Sequence, residues 1–388
     1  MARIYLDNAA TSWPKPEAVY EAVNRYQREI GAAAGRGAYQ SAQQAQRLVA
    51  KTRLFCATQY FRTTAGRLAF TANGTAALNL AIHGLLNPGD HVVSTVCEHN
   101  SVLRPLHWQS EHNDVQVTYV DCDEAGYVDV DQISAAITGK TRLIAVSHAS
   151  NVTGAIQPIA QIAQQARNAG VLTLVDAAQT AGSMTIDLEK LPVDLLACSG
   201  HKGLLGPLGT GLLYVRSGLE MQLCPLQQGG TGVDSSAKSQ PDHMPERFEA
   251  GNLNVPAIAG LGAVADDPQV VPAADAQQHY HDLTRQLLDG LAAIPEATIY
   301  GPTADQPRVG VVSCSIDGYD PQEFATALDA AAGIECRAGL HCAPRMHAAL
   351  GTDALGGLVR FSPGWATTQA EINTTLDAIA ALAAAPIQ

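Results

Sequence analysis

Mostly apolar runs of four to seven residues, separated by amphipathic stretches, set the pattern of this chain. Runs at 68–71, 91–96, 116–120, 142–147, 172–175, 195–197 and 211–215 are too short for helices and are bounded by turn residues, so they predict strands. Between them, 75–86 predicts a helix, and Ile159, Ile162, Ala163 and Ala166 mark another that stops at Gly170. Upstream, a short strand and turn occupy 4–11. Pro14 and Pro16 bracket the start of a helix through Val19, Ala22, Val23 and Tyr26, and a second helix covers 41–60 with Leu48, Val49, Leu54 and Phe55 on its apolar side. Strands that read as apolar throughout, rather than alternating, are buried on both faces. With helices between them they predict an α/β fold around a mostly parallel sheet.

The pattern changes near residue 260. Beyond it come a helix over 277–294, a strand over 309–315, a helix over 320–332 that stops at Gly333, and a strand over 358–361. Thr368 with Glu371 has the capping-box spacing that starts a last helix. This predicts a smaller α+β C-terminal domain, formed by 261–388 together with 1–14, beside a large domain over 15–260. The stretch 227–244, rich in Gly, Ser and Gln, predicts a loop, and no internal repeat is visible.

Composition removes some function classes. The net charge of −13 over 388 residues argues against a nucleic-acid partner, which would require a basic surface. No apolar run approaches the ~20 residues of a membrane span, and residues 1–6 lack the apolar core of a signal peptide. A cytoplasmic protein is expected. The eight cysteines contain no CxxC pair, so neither a metal site nor a disulfide framework is predicted.

Candidate chemistry collects at the predicted strand ends. Lys202 follows Ser199, Gly200 and His201 in a Gly-rich turn, where desolvation suits a Schiff-base lysine. Asn73, Gly74 and Thr75 join a strand to a helix start, a position that binds anions. Asp176 ends another strand and can hold a pyridine nitrogen protonated, with Gln179 one turn on. His99 and Asn151 follow two further strand ends. Taken singly each has a plainer reading: a surface lysine in a turn, helix caps at Thr75 and Asp176, a solvent-facing histidine. Taken together they describe a site for a phosphorylated aromatic cofactor.

Eight motifs extend the pattern: YLDNAATSWPKP at 5–16, NGTAALN at 73–79, EHNS at 98–101, SNVTG at 150–154, VDAAQ at 175–179, SGHK at 199–202, RFEAGN at 247–252 and RAGLHCAP at 337–344. In this order they resemble the class V aminotransferase superfamily, and within it the cysteine desulfurases, most closely the SufS-like and selenocysteine lyase group. The resemblance implies a fold-type I pyridoxal 5'-phosphate enzyme with a seven-stranded, mostly parallel sheet. It implies Lys202 as the cofactor lysine, Asp176 at the ring nitrogen, Gln179 at the ring oxygen and His99 stacked on the ring and moving protons. Gly74, Thr75, Ser199 and His201 hold the phosphate, with Asn252 reaching a neighbouring subunit's site in a homodimer. Asn151, Arg360, Asn8 and Ala10 surround the substrate, and Arg360 binds its carboxylate by a guanidinium fork.

Cys342 separates the possible chemistries. Gly339, His341 and Pro344 around it are poor core formers, so it is expected on a structured, accessible loop as a nucleophile. The implied reaction converts L-cysteine to L-alanine, with sulfur taken up on Cys342 as a persulfide and passed to a sulfur-acceptor protein. Selenocysteine lyase, acting on L-selenocysteine, is the nearest alternative. A C–S β-lyase, an epimerase or an aminotransferase on the same fold is a further one.

Overall fold

A computed structural model describes residues 3–35, 37–270 and 273–384. The strands are β1 (Ile4–Tyr5), β2 (Leu68–Thr71), β3 (His91–Thr95), β4 (Gln116–Val120), β5 (Thr141–Ser147), β6 (Leu172–Asp176), β7 (Leu195–Ser199), β8 (Gly211–Val215), β9 (Ala297–Tyr300), β10 (Val312–Ile316), β11 (Ile334–Glu335), β12 (Arg337–Gly339) and β13 (Leu358–Phe361). The helices are α1 (Glu17–Arg25), α2 (Gln40–Phe55), α3 (Gly74–Leu85), α4 (Asn100–Asn113), α5 (Val130–Ala135), α6 (Ile159–Asn168), α7 (Val255–Ala263), α8 (Ala273–Ala292), α9 (Pro321–Ala332), α10 (Pro344–Ala349) and α11 (Gln369–Ala383).

Seven strands form one sheet in the order β2-β8-β7-β6-β5-β3-β4. From β4 to β7 every pairing is parallel; β8 alone is reversed and pairs antiparallel with both β7 and β2. Successive residues of β5 point to opposite faces. Leu143 and Ala145 enter a core with Leu78 and Ile82 of α3 and Val102 and Leu106 of α4. Ile144 and Val146 enter a second core with Val49 of α2, Ile162 of α6 and Ile258 of α7. Both faces are therefore dry, which is why these strands carry no polar alternation.

A second sheet, β12-β13-β10-β9, is antiparallel throughout. Its core joins Val312, Cys314, Val359 and Phe361 to Phe324 and Leu328 of α9 and Ile372 and Ile379 of α11. The N-terminal segment packs here: Ile4 and Leu6 lie in this core, β1 runs parallel to β11, and Asp7 bridges to Ser362. The capping box at Thr368 and Glu371 forms as predicted. The boundary expected near residue 260 falls inside α7, which packs on α1 and α2. Among the described residues no helix is long and apolar enough to cross a membrane.

Candidate active site

Parallel strands place their C-terminal ends along one edge, and loops from that edge meet. Ser147 of β5 pairs with Asp176 of β6, and Asp176 with Ala197 of β7, so these ends are level. Together with the start of α3, the start of α4 and part of the second sheet they enclose a cavity of about 210 Å³. Its walls include Ala10, Gly74, Thr75, His99, Asn151, Asp176, Gln179, Ser199, His201, Lys202 and Arg360.

Lys202 stands in a turn that is tightly held. The carbonyl of His201 accepts from the Ser12 amide at 3.0 Å, the Thr11 and Ser12 hydroxyls at 3.1 Å and the Lys15 ammonium at 2.8 Å. A side chain at Gly203 would put Cβ 2.5 Å from the Ala181 carbonyl oxygen, so only glycine lets the turn seat there. Burial brings the Lys202 pKa down to about 8, with the Arg360 and Arg337 charges acting the same way and Asp176 and Asp7 against it. A fraction of the amine is therefore neutral near neutral pH, as nucleophilic addition requires.

Asp176 is buried, accepts from the Ala178 amide at 2.9 Å, and is pushed above the usual carboxylate range by burial, against the Lys202 charge. His99 caps α4: its Nδ1 accepts from the Ser101 amide at 3.0 Å, which leaves the ring proton on Nε2. Burial, then the positive charges of Lys202, Arg337 and Arg360, bring its pKa down to about 4, so the ring is neutral at physiological pH. His201 is likewise brought down to about 4 by burial, with Lys202 and Lys15 adding to it.

At the start of α3, Asn73 Oδ1 accepts from the Ala76 amide at 2.8 Å, and the Thr75 and Ser101 hydroxyls lie 2.8 Å apart. The first-turn N–H groups of a helix lack partners within it and favour an anion. A Cβ at Gly74 would lie 2.6 Å from Ser199 Oγ. The helix start and the strand end thus close into a cradle that only glycine permits.

Arg360 is fully buried on β13. It donates to Asp7 Oδ1 at 2.6 Å and to the Asn151 carbonyl at 3.1 Å, while its Nε is buried without a partner. A guanidinium on the cavity wall that still has unspent donors suits an incoming carboxylate. Cys342 is not itself a wall of the cavity. Its neighbours Arg337 and His341 are, and Arg337 Nη2 donates to Cys342 Sγ at 3.4 Å.

Two expected residues, Asn8 and Asn252, do not line this cavity. Asn8 lines a smaller neighbouring cavity of about 50 Å³ that shares Lys202. Its amide donates to the Tyr5 and Ser362 carbonyls and accepts from the Trp13 amide, so it holds the N-terminal turn rather than facing the larger cavity. Asn252 is exposed, on a separate groove of about 480 Å³ beside Asn79 and Leu226. Gln179 lines the cavity, with Nε2 donating to the Ala9 carbonyl at 3.1 Å.

Two residues were not singled out from sequence. Arg337 lies within the RAGLHCAP motif, where a cation five residues before the cysteine was the available signal. Glu98 lies beneath the cavity, buried, accepting from Thr95 Oγ1 at 2.7 Å, the Ser147 amide at 2.9 Å and Ser147 Oγ at 2.7 Å. Burial brings its pKa up to about 7 against those three donors.

The family described as aminotransferase class-V matches residues 4–374. The chain belongs to the class-V aminotransferase family. A protein of Methanothermobacter thermautotrophicus named probable cysteine desulfurase is 36% identical over 386 residues, covering 98% of this chain and 95% of the relative. A protein of Pectobacterium carotovorum named cysteine desulfurase is 31% identical over 332 residues, covering 84% of this chain and 80% of the relative. Among solved structures, the apo cysteine desulfurase of Thermococcus onnurineus superposes with a TM-score of 0.91 at 32% identity, covering 98% of this chain and 94% of that one. The Escherichia coli cysteine desulfurase CsdA gives 0.86 at 28% identity, covering 97% and 93%. The fold of this class-V chain is fold-type I, and its family is pyridoxal-phosphate-dependent. The site fits that cofactor: an amine with a lowered pKa, a buried carboxylate and a glycine-built anion cradle open onto one cavity.

Proposed function

We propose that the chain is a pyridoxal-phosphate-dependent cysteine desulfurase that converts L-cysteine to L-alanine and takes the sulfur onto Cys342. The observation that carries this reading is a cysteine in contact with a wall of the same cavity that holds the reactive lysine: Arg337 lines it and donates to Cys342 Sγ at 3.4 Å. The relatives named cysteine desulfurase support it.

Each residue has a task that follows from its surroundings. Gly74, Thr75, Ser199 and His201 would hold the phosphate of the cofactor, Asp176 its ring nitrogen and Gln179 its ring oxygen, and His99 would face the ring. When bound, pyridoxal phosphate supplies an electron sink for the bonds at Cα. Arg360 orients the substrate carboxylate with its unspent donors, and Asn151 and Ala10 shape the space around it. Lys202, released as a neutral amine, takes the proton from Cα and returns one. Cys342 Sγ attacks the substrate sulfur: an S–S bond forms, the Cβ–S bond breaks with its electron pair left on carbon, and a proton completes the methyl group. The balance is cysteine plus a thiol giving alanine plus a persulfide.

Asn252 stands outside the cavity of its own chain. Its role at a phosphate therefore calls for a second copy, so the reading includes a homodimer. The persulfide sulfur passes to an acceptor protein. All eight cysteines are free thiols, which suits the reducing cytoplasm. Quantifying alanine, pyruvate and sulfide from L-cysteine and from L-selenocysteine tests the reaction. Alanine from cysteine, dependent on Cys342, supports it; pyruvate in place of alanine, or alanine from selenocysteine alone, overturns it.

A further inference from the structure

We infer that His347, outside the cavity, is a positioning residue that clamps the turn presenting Cys342, through a directional hydrogen-bond relay from Thr352 to His347 to His341. The inference rests on Cys342 being the sulfur-accepting thiol.

The turn needs a clamp. His341 has φ 48° and Cys342 φ 57°, two consecutive non-glycine residues in the left-handed region. Such residues are strained and persist only where their surroundings over-determine them. Their two carbonyls are held by the large sheet's loops: Asn151 Nδ2 donates to His341 O at 2.7 Å, and the Asn100 amide donates to Cys342 O at 2.7 Å. The His341 ring is held from the other side, by α10, which begins two residues after Cys342.

One carbonyl fixes the direction of the whole relay. His341 Nε2 lies 3.4 Å from the Arg337 carbonyl oxygen, which can only accept, so Nε2 carries the proton. In the neutral ring Nδ1 is then an acceptor, and the group facing it at 3.4 Å, His347 Nε2, must donate. That leaves His347 Nδ1 to accept from the Thr352 hydroxyl at 2.8 Å, a shorter contact than the 3.4 Å from the same hydroxyl to the His347 carbonyl. The three side chains are 2%, 0% and 1% exposed, so water does not substitute for any link. Burial lowers the pKa of both rings, which keeps the relay neutral and its tautomers single. The relay ends on Arg337, whose guanidinium touches Cys342 Sγ at 3.4 Å. Releasing the ring thus removes one hold on the turn, next to the residue that contacts the thiol.

The test uses the holoenzyme with His347→Leu, which removes both links, and His347→Gln, which keeps a donor near the place of Nε2. Two rates are read: alkylation of Cys342 by iodoacetamide, followed on its peptide by mass spectrometry, and sulfur transfer in a single turnover. His347→Leu is expected to slow both by about three- to tenfold, the factor of one lost hydrogen bond. KM for cysteine and the visible absorbance of the lysine-bound cofactor stay unchanged, and His347→Gln recovers both rates to within about twofold. Wild-type rates in His347→Leu, faster alkylation in it, or a glutamine variant as slow as leucine would overturn the clamp. If His347→Leu does not fold, Thr352→Val removes the first link and carries the same comparison against wild type. Alkylation needs no substrate. A slowed thiol in a protein that makes no alanine from cysteine would sink the desulfurase reading and leave the clamp standing.

Discussion

Replacing Arg360 by lysine probes the carboxylate site where the structure leaves a donor unspent. The guanidinium has five N–H donors. Asp7 and the Asn151 carbonyl take one each, and the Nε–H is buried without a partner. Three of the five donors are thus left for a substrate carboxylate. A lysine has three N–H donors in all, and the two existing acceptors leave one. The loss is one charge-assisted hydrogen bond, worth about 1.5–3 kcal/mol, or roughly 10- to 100-fold in affinity. Because the carboxylate does not react, the loss falls on ground and transition states alike, so it raises KM and leaves kcat nearly unchanged. The assay is alanine release against cysteine concentration for wild type and Arg360→Lys. Cysteamine binding, followed through the cofactor absorbance, serves as the carboxylate-free control. Cysteamine lacks the group that Arg360 holds, so its affinity should be the same for both proteins within about twofold. A fall in kcat at unchanged KM, or an equal loss for cysteine and cysteamine, would refute the assignment of Arg360 to the carboxylate.

Other expectations follow from the same geometry. Gly74→Ala places a methyl 2.6 Å from Ser199 Oγ and should weaken cofactor retention; overpacking of about 1–3 kcal/mol predicts a rise of about 5- to 150-fold in the dissociation constant, and unchanged retention would show that the cradle is not the phosphate site. Glu98 has a folded pKa of about 7 against 4.5 as the ordinary value, so between these two pH values the native protein holds one more proton than the unfolded chain. Stability should therefore fall as pH rises through that window, by about 3 kcal/mol in full. Glu98→Gln, whose amide can keep the Thr95 and Ser147 bonds, should flatten that part of the denaturation-versus-pH profile, and an unchanged slope would contradict the shift.

The inner strands of the large sheet were legible because burial on both faces leaves them mostly apolar, whereas edge strand β4 alternates exposed Gln116 and Thr118 with half-buried Val117 and Tyr119. Helix α4 was less so, since Pro105 interrupts it and its outer face is polar. The change of pattern read near residue 260 falls within helix α7, whose Gly residues do not mark a break in the chain. Those small residues instead allow close packing: a Cβ at Gly262 would meet Thr52 Oγ1 at 2.1 Å, and one at Gly260 would meet Pro207 at 2.8 Å. At the site, residues fixed by one strand end, such as Asp176, Ser199 and Lys202, could be read from local sequence. Positions that depend on distant segments meeting came only through the family resemblance, as for Arg360, or were missed. Asn8 shares a motif with Ala10, yet its hydrogen bonds tie it into its own turn, while Ala10 faces the cavity. Arg337, Glu98 and His347 acquire their roles only when the two sheets come together or a buried carboxylate meets its donors.

The central claim is that sulfur leaves cysteine for Cys342, and intact-mass and peptide analysis after one turnover measures it directly. Holoenzyme mixed with one equivalent of L-cysteine should gain the mass of one sulfur atom on the Cys342 peptide, with alanine formed in equal amount, and Cys342→Ala should show neither. Alanine formed with no sulfur on Cys342, or sulfur found on another of the eight cysteines, would contradict the account.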